Sequence, residues 1–195
     1  MNCTTNNEGL IRVAGYIQDS IVDGPGFRFV VFTQGCERHC DGCHNPETWV
    51  LDGGNLMQVE ELAEMMLSNA LTDGLTLSGG EPFLQPKECA LLANVAKNHR
   101  LVVWAYTGFT FEELMDLSQT DTSIMELLTV VDVLIDGAFE LPLRSLNLKW
   151  RGSSNQRVLD IQNSLKAGIA VELRNYNEEI TENKQLTQRG KFSNG

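Results

Sequence analysis

Three cysteines within eight residues constrain this chain more than any other feature. They lie in Gly35-Cys36-Glu37-Arg38-His39-Cys40-Asp41-Gly42-Cys43-His44-Asn45-Pro46, spaced C-x3-C-x2-C. Pairing two of them in a disulfide leaves an odd thiol. A structural zinc site is a closed tetrahedron of four ligands. Ferredoxin-type clusters use four cysteines, and no fourth lies nearby in the sequence. A [4Fe–4S] cube held by three thiolates leaves one iron open, and an open iron can bind a substrate. Two readings stand at this point: that cube, or a zinc knuckle completed by His39 or His44.

The 195 residues suffice for one compact domain with a sizeable core. The net charge of −11 argues against non-specific nucleic-acid binding, which needs clustered Lys and Arg to neutralise phosphates. No apolar run approaches the ~20 residues of a membrane span. The stretch Met1–Glu8 lacks the basic and apolar regions of a secretory signal. The expected location is the cytoplasm, where thiols stay reduced. Clustered cysteines there read as metal-binding or catalytic. Cys3 sits in a polar end and reads as incidental. Cys89 falls on an apolar helix face and reads as core.

Strand and helix patterns alternate along the chain. Ile11–Gln18 reads as a first strand. Asp23-Gly24-Pro25-Gly26 is strong turn chemistry, and Phe27–Thr33 is an apolar, β-branched strand running straight into Gly35-Cys36. The cysteines therefore sit beyond a strand's carboxyl end, the edge that carries active sites in α/β architectures. Val59, Leu62, Ala63, Met66 and Leu67 share one helix face. Gly74–Ser78 reads as a strand, followed by Gly79-Gly80-Glu81-Pro82. Pro86 opens a helix with Cys89, Leu92, Ala93 and Ala96 on its apolar face. Leu101–Tyr106 is a continuous apolar strand. Thr110 and Glu113 form a capping box for a helix carrying Leu114 and Leu117. Ile124, Leu127 and Leu128 mark another helix, and Val130–Ile135 a strand ending at Asp136-Gly137. Glu140–Lys149 reads as irregular, Arg157–Ile161 as a strand followed by a helical turn to Lys166, and Ile169–Leu173 as a last strand. Residues 1–175 are expected to form one domain. Residues 176–195 are expected to form a polar, mobile tail. The strand-then-helix order implies a parallel sheet with right-handed crossovers. The units are too few for a closed eight-stranded barrel of ~250 residues. The expected α/β fold is a partial, open (β/α) TIM-like barrel.

Asp23-Gly24-Pro25-Gly26, the cysteine triad and Gly79-Gly80-Glu81-Pro82 occur in an order that resembles the radical S-adenosylmethionine activating enzymes of glycyl-radical proteins. Arg151-Gly152-Ser153-Ser154-Asn155-Gln156-Arg157 resembles the members that act on anaerobic ribonucleoside-triphosphate reductase, as does the compact length. The match runs from about Ser20 to about Gly168. The resemblance implies a radical S-adenosylmethionine domain in which Cys36, Cys40 and Cys43 hold three irons of a [4Fe–4S] cluster. S-adenosyl-L-methionine chelates the fourth iron and is cleaved by one electron from the reduced cluster. A hydrogen atom then leaves the Cα of one glycine of the reductase. No catalytic residue beyond the cluster and cofactor is expected, because the cofactor performs the difficult step.

Cofactor binding is expected at Gly42, His44, Gly79, Gly80, Glu81, Asp136, Arg151 and Asn155. Glycines lacking Cβ let backbone carbonyls approach the methionine ammonium, and Gly35 and Gly42 offer N–H groups to the cluster sulfurs. Many family members carry an aromatic ring just before the third cysteine; here that position is Gly42, and the ring follows as His44. Asp136 reads equally as a ribose or methionine contact or a loop cap, and Tyr106 as a site residue or core. Ser153 and Arg157 are further candidates for the cofactor or the partner's glycine loop. Asp23 and Arg28 are expected to pair and shape the entrance. His39 reads as exposed and His99 as a helix C-terminus. The expected partners are the reductase and a low-potential electron donor such as flavodoxin, docking at Arg12, Arg28, Arg38 or Arg144; a homodimer is left open. The rivals are a small-molecule enzyme like 7-carboxy-7-deazaguanine synthase, which has no use for Asp23-Gly24-Pro25-Gly26, and a colourless zinc-binding module.

Overall fold

The apolar runs that read as buried strands pair side by side at the centre of one sheet. The structure, a computed structural model, describes residues 9–177. In chain order the strands are β1 (Leu10–Ser20), β2 (Arg28–Thr33), β3 (Asn55–Gln58), β4 (Gly74–Gly79), β5 (Val102–Tyr106), β6 (Val133–Asp136) and β7 (Arg157–Asp160). The helices are α1 (Val59–Ser68), α2 (Pro86–Asn98), α3 (Phe111–Leu117), α4 (Thr122–Val130), α5 (Ile161–Ala167) and α6 (Arg174–Asn177). The sheet order is β3-β1-β2-β4-β5-β6-β7. The inner pairs β2–β4, β4–β5 and β5–β6 are parallel. The pairs β1–β2, β1–β3 and β6–β7 are antiparallel. The sheet is open, with β3 and β7 as its edges.

Side-chain alternation divides the sheet into two faces. Phe29, Val31, Leu75, Leu77, Val103, Ala105 and Leu134 point to the helices, where they meet Leu62, Met66, Leu92, Ala96, Leu127 and Leu128. The expected face of α2 is fully buried: Cys89, Leu92, Ala93 and Ala96 are all at 0% exposure. The other face carries a smaller cluster of Trp104, Val133, Ile135 and Val158, with Tyr106, Trp150, Leu173 and Tyr176 packed against it. Register places Thr33 beside Gly79 and Tyr106 beside Ile135, so the parallel strands end along one edge.

The structure departs from the sequence reading in several places. β3 was not expected; it is a four-residue edge strand with one half-buried side chain, too short to show a period. α4 runs to Val130, so β6 begins only at Val133. Asp132 takes the gap between them, accepting the Val103 N–H at 2.8 Å. Ile169–Leu173 is not a strand. It meets β7 at a single bridge, Leu159–Glu172, and the chain then turns into α6 from Arg174. Cys3 and nearly all of the expected tail lie outside the described residues. Among the described residues no helix is long and apolar enough to cross a membrane.

Asp23 and Arg28 do not form the expected ion pair. The Asp23 carboxylate accepts from the Ser20 hydroxyl. Arg28 is 1% exposed and donates to Thr76 Oγ1 at 3.0 Å and to the carbonyls of Leu75 and Val102. Thr76 passes the link on, donating to the Asp23 carbonyl at 2.9 Å. Arg28 thus anchors the turn before β2 through backbone acceptors, and its guanidinium lies 5.8 Å from the Trp104 ring centroid. Burial lowers its pKa to about 10, which leaves it charged at neutral pH. Replacing it by Met removes the donors from two strand carbonyls and from Thr76. The Arg28→Met variant is expected to lose about 3 kcal/mol of stability, measured by urea denaturation.

Candidate functional site

The cysteine loop leaves β2 through two fixed residues. Gln34 is buried, and its Nε2 donates to the Val50 and Glu47 carbonyls at 2.6 and 3.1 Å. Gly35 turns with φ +99° and donates to the Thr48 carbonyl at 2.8 Å. Cys36 then donates to the Trp49 carbonyl at 3.3 Å, so the end of the short 3-10 helix Pro46–Thr48 and Trp49 after it back the loop. Cys43 closes a turn on the Cys40 carbonyl at 3.1 Å, with Gly42 at φ +73°. Backbone N–H groups aim at sulfur: those of Arg38 and His39 at Cys36, and that of Asn45 at Cys43 at 3.4 Å. Burial pushes the Cys36 thiol up, against these donors. Cys36, Cys40 and Cys43 are free and half-buried; Cys89 is buried in the core, as expected. Among the described residues no three His, Cys, Asp or Glu side chains are gathered to hold a single metal ion. A cube does not require that, since each thiolate serves its own iron.

Gly79 and Gly80 carry backbone against backbone. A Cβ at Gly79 would lie 2.5 Å from the Phe32 Cα, and one at Gly80 would lie 2.3 Å from the Gly35 carbonyl oxygen. Gly80 donates to the Thr33 carbonyl and Glu81 to the Gly35 carbonyl, each at 2.8 Å. Close packing beneath the cysteine loop therefore already requires these glycines. The Glu81 carboxylate is 1% exposed. It accepts from the Phe83 N–H at 3.1 Å, the Thr107 hydroxyl at 2.9 Å and the Gly108 N–H at 2.8 Å. Burial outweighs these donors and pushes its pKa up to about 7. A cleft of ≈ 200 Å³ beside the loop is lined by Glu37, Arg38, Glu81, Leu84 and Phe109.

The remaining candidates divide between this loop and the far side of the edge. His44 is exposed, with its ring 5.4 Å from that of Phe139. A Cβ on Gly42 would meet Leu141 at 2.9 Å, and one on Gly152 would meet Phe139 at 2.9 Å. Phe139 and Leu141 thus join the cysteine loop to the segment 151–157. There Gln156 folds inward, accepting from Gly152 at 2.8 Å and donating to the Gly137 carbonyl at 3.0 Å. Arg151 donates to the Gln156 carbonyl at 2.6 Å. Asn155 donates to the Ala138 carbonyl at 2.8 Å, while its buried Oδ1 has no partner among the described residues. Ser153 is buried and accepts from Glu140 N–H at 3.1 Å.

Asp136 shares its face of β6 with Leu134, so it points towards α3. It accepts the Phe111 N–H at 2.8 Å and a fork from Arg157, which also reaches Glu112 at 2.7 Å. Tyr106 lies on the opposite face, half-buried beside Trp104. His39 is exposed and packs on Trp49 with ring centroids 4.8 Å apart. His99 caps the end of α2. Sequence reasoning did not single out Trp49, Phe109, Phe139 or Leu141. Their roles come from long-range packing, and only the position of Trp49 just after the triad hinted at one.

A family model described as a 4Fe-4S single cluster domain matches residues 22–159, from the turn before β2 into β7. The chain is 38% identical over 144 residues to the anaerobic ribonucleoside-triphosphate reductase-activating protein of Enterobacteria phage T4, covering 70% of this chain and 86% of that protein. It is 33% identical over 156 residues to the protein of that name from Salmonella typhi, covering 76% and 97%. The protein of that name from Escherichia coli K12 is 33% identical over 154 residues, covering 73% and 94%. This chain belongs to the family of anaerobic ribonucleoside-triphosphate reductase-activating proteins.

The raised pKa of Glu81 has a thermodynamic consequence. A carboxyl that binds its proton more tightly when folded contributes stability that is full below its unfolded pKa and is lost as pH rises through about 7. The metal-free protein is expected to lose up to about 3 kcal/mol between about pH 4.5 and pH 8 from this group. Urea denaturation across that range checks it, with Glu81→Gln expected to flatten the dependence.

Proposed function

We propose that this chain activates an anaerobic ribonucleoside-triphosphate reductase by generating a glycyl radical on it, with a [4Fe–4S] cluster and S-adenosyl-L-methionine as cofactors. The cysteine loop carries this reading: three free thiols beyond β2, with backbone N–H groups of Arg38, His39 and Asn45 directed at two of the sulfurs. That donor set fits the cluster, because soft thiolates select iron–sulfur centres and N–H donors to sulfur tune them. Cys36, Cys40 and Cys43 would be the ligands. When bound, the cluster and S-adenosyl-L-methionine supply one-electron bond cleavage and abstraction of a glycine hydrogen atom.

The protein's own residues bind and orient. The unpartnered Oδ1 of Asn155 is a ready acceptor for an amino or hydroxyl group of the cofactor. Gly42 and His44 meet the same wall through Phe139 and Leu141. Arg151 braces that wall by holding the Gln156 carbonyl. Gly79, Gly80 and Glu81 form the floor under the cysteine loop, and Asp136 fixes the start of α3. The open sheet is read as the partial (β/α) barrel of the radical S-adenosylmethionine type. Its half-exposed cysteine loop suits a protein substrate and a low-potential donor such as flavodoxin, both met in the cytoplasm.

Anaerobic reconstitution with iron and sulfide tests the reading. Addition of dithionite, S-adenosyl-L-methionine and the reductase is expected to give 5′-deoxyadenosine and a glycyl EPR doublet on the reductase. Cys40→Ser is expected to abolish both. Deoxyadenosine without the doublet would move the substrate to another molecule. Stoichiometric zinc with no iron–sulfur absorption would overturn the enzyme reading.

A further inference from the structure

Arg38 lies between the first two cysteines, yet its side chain belongs to a different part of the fold. Its guanidinium carbon sits 4.1 Å from the centroid of the Phe109 ring. Its Nη2 is 3.0 Å from Glu113 Oε2. That same oxygen accepts the Thr110 N–H at 2.7 Å and so closes the capping box of α3. The Arg38 stem lies over Gly108, where a Cβ would come within 2.9 Å of its Cγ. Gly108 donates to Glu81, Glu81 donates to the Gly35 carbonyl, and Gly35 leads into Cys36. The Arg38 N–H returns to the Cys36 sulfur. The contacts form a closed ring that ties the cysteine loop to the ends of β4 and β5.

We propose that Arg38 is a positioning residue for the iron–sulfur cluster, pinning the loop between Cys36 and Cys40 to the β5–α3 turn and placing a cation beside the site. This rests on the cluster reading above. An exposed ion pair alone is worth little. Here a planar guanidinium stacks on an aromatic ring and pairs with a carboxylate already held by a helix cap, a geometry that a lysine ammonium does not reproduce. Two effects follow. The clamp slows opening of the loop and thereby loss of iron. The positive charge favours the reduced, more negative cluster and raises its potential, since net charge near a cluster is one of the terms that set it. Glu113 offsets part of that charge.

The test compares wild type, Arg38→Ala, Arg38→Lys and Glu113→Gln after anaerobic reconstitution of the full chain. Iron release to a chelator and the midpoint potential are measured for each. Arg38→Ala is expected to release iron several-fold faster and to show a lower potential. Glu113→Gln is expected to release iron faster as well, but to shift the potential upwards, because it leaves the cation uncompensated. Arg38→Lys should restore the potential but only part of the resistance to chelation. Simple loosening of the loop would move the potentials of Arg38→Ala and Glu113→Gln in the same direction, and that result overturns the proposal. So does wild-type behaviour of Glu113→Gln, whose exposed site leaves folding intact even if Arg38→Ala fails to fold. Absence of a cluster in the wild type would instead remove the reading on which the proposal rests.

Discussion

A single buried carboxylate holds the carboxyl edge of this sheet together. Glu81 takes two backbone N–H groups and one hydroxyl, while its own N–H donates to Gly35 at the root of the cysteine loop. The ends of β2, β4 and β5 therefore meet at one residue, β2 through the Glu81 backbone and β5 through its carboxylate. Burying a carboxyl is costly unless its oxygens are satisfied, and the donors here come from residues two and more than twenty positions away. The approach is so close that Gly79 and Gly80 leave no space for a Cβ. The cysteine loop starts from this junction at Gly35.

The sheet's two faces do different work. The helix side is a close-packed apolar core, and it makes the strand ends a rigid platform. The other side carries Trp104 and Ile135, with the buried cation of Arg28 near the Trp104 ring. The chemistry-bearing residues sit on neither face but on the loops beyond the parallel strands, where α/β folds place their sites because backbone groups there are free of the ladder. Loops that must present thiols accurately need outside support. Trp49, Phe139, Leu141 and Phe109 supply it, each by contact with a different part of the cysteine loop or its neighbours.

The buried carboxylates at the strand ends are held by structural donors. Glu81 and Asp136 are both buried and both committed to backbone donors. The family model that spans this region is a 4Fe-4S single cluster domain, and the thiols of the cysteine loop lie within it.

The sequence by itself determined the features that depend on short-range chemistry. The C-x3-C-x2-C spacing, the apolar face of α2, the Thr110–Glu113 capping box and the apolar runs of β2, β4 and β5 are all set by residues within a few positions of one another. Only the tertiary structure decided which partners distant residues take. Arg28 bonds backbone carbonyls 47 and 74 positions away rather than Asp23. Asp136 turns to α3 and Arg157, and Ile169–Leu173 meets β7 at a single bridge before the chain turns into α6. Periodicity shows which face a residue lies on. It does not show which of many chemically equivalent donors and acceptors will reach it, because that choice is made by the packing of elements far apart in the chain.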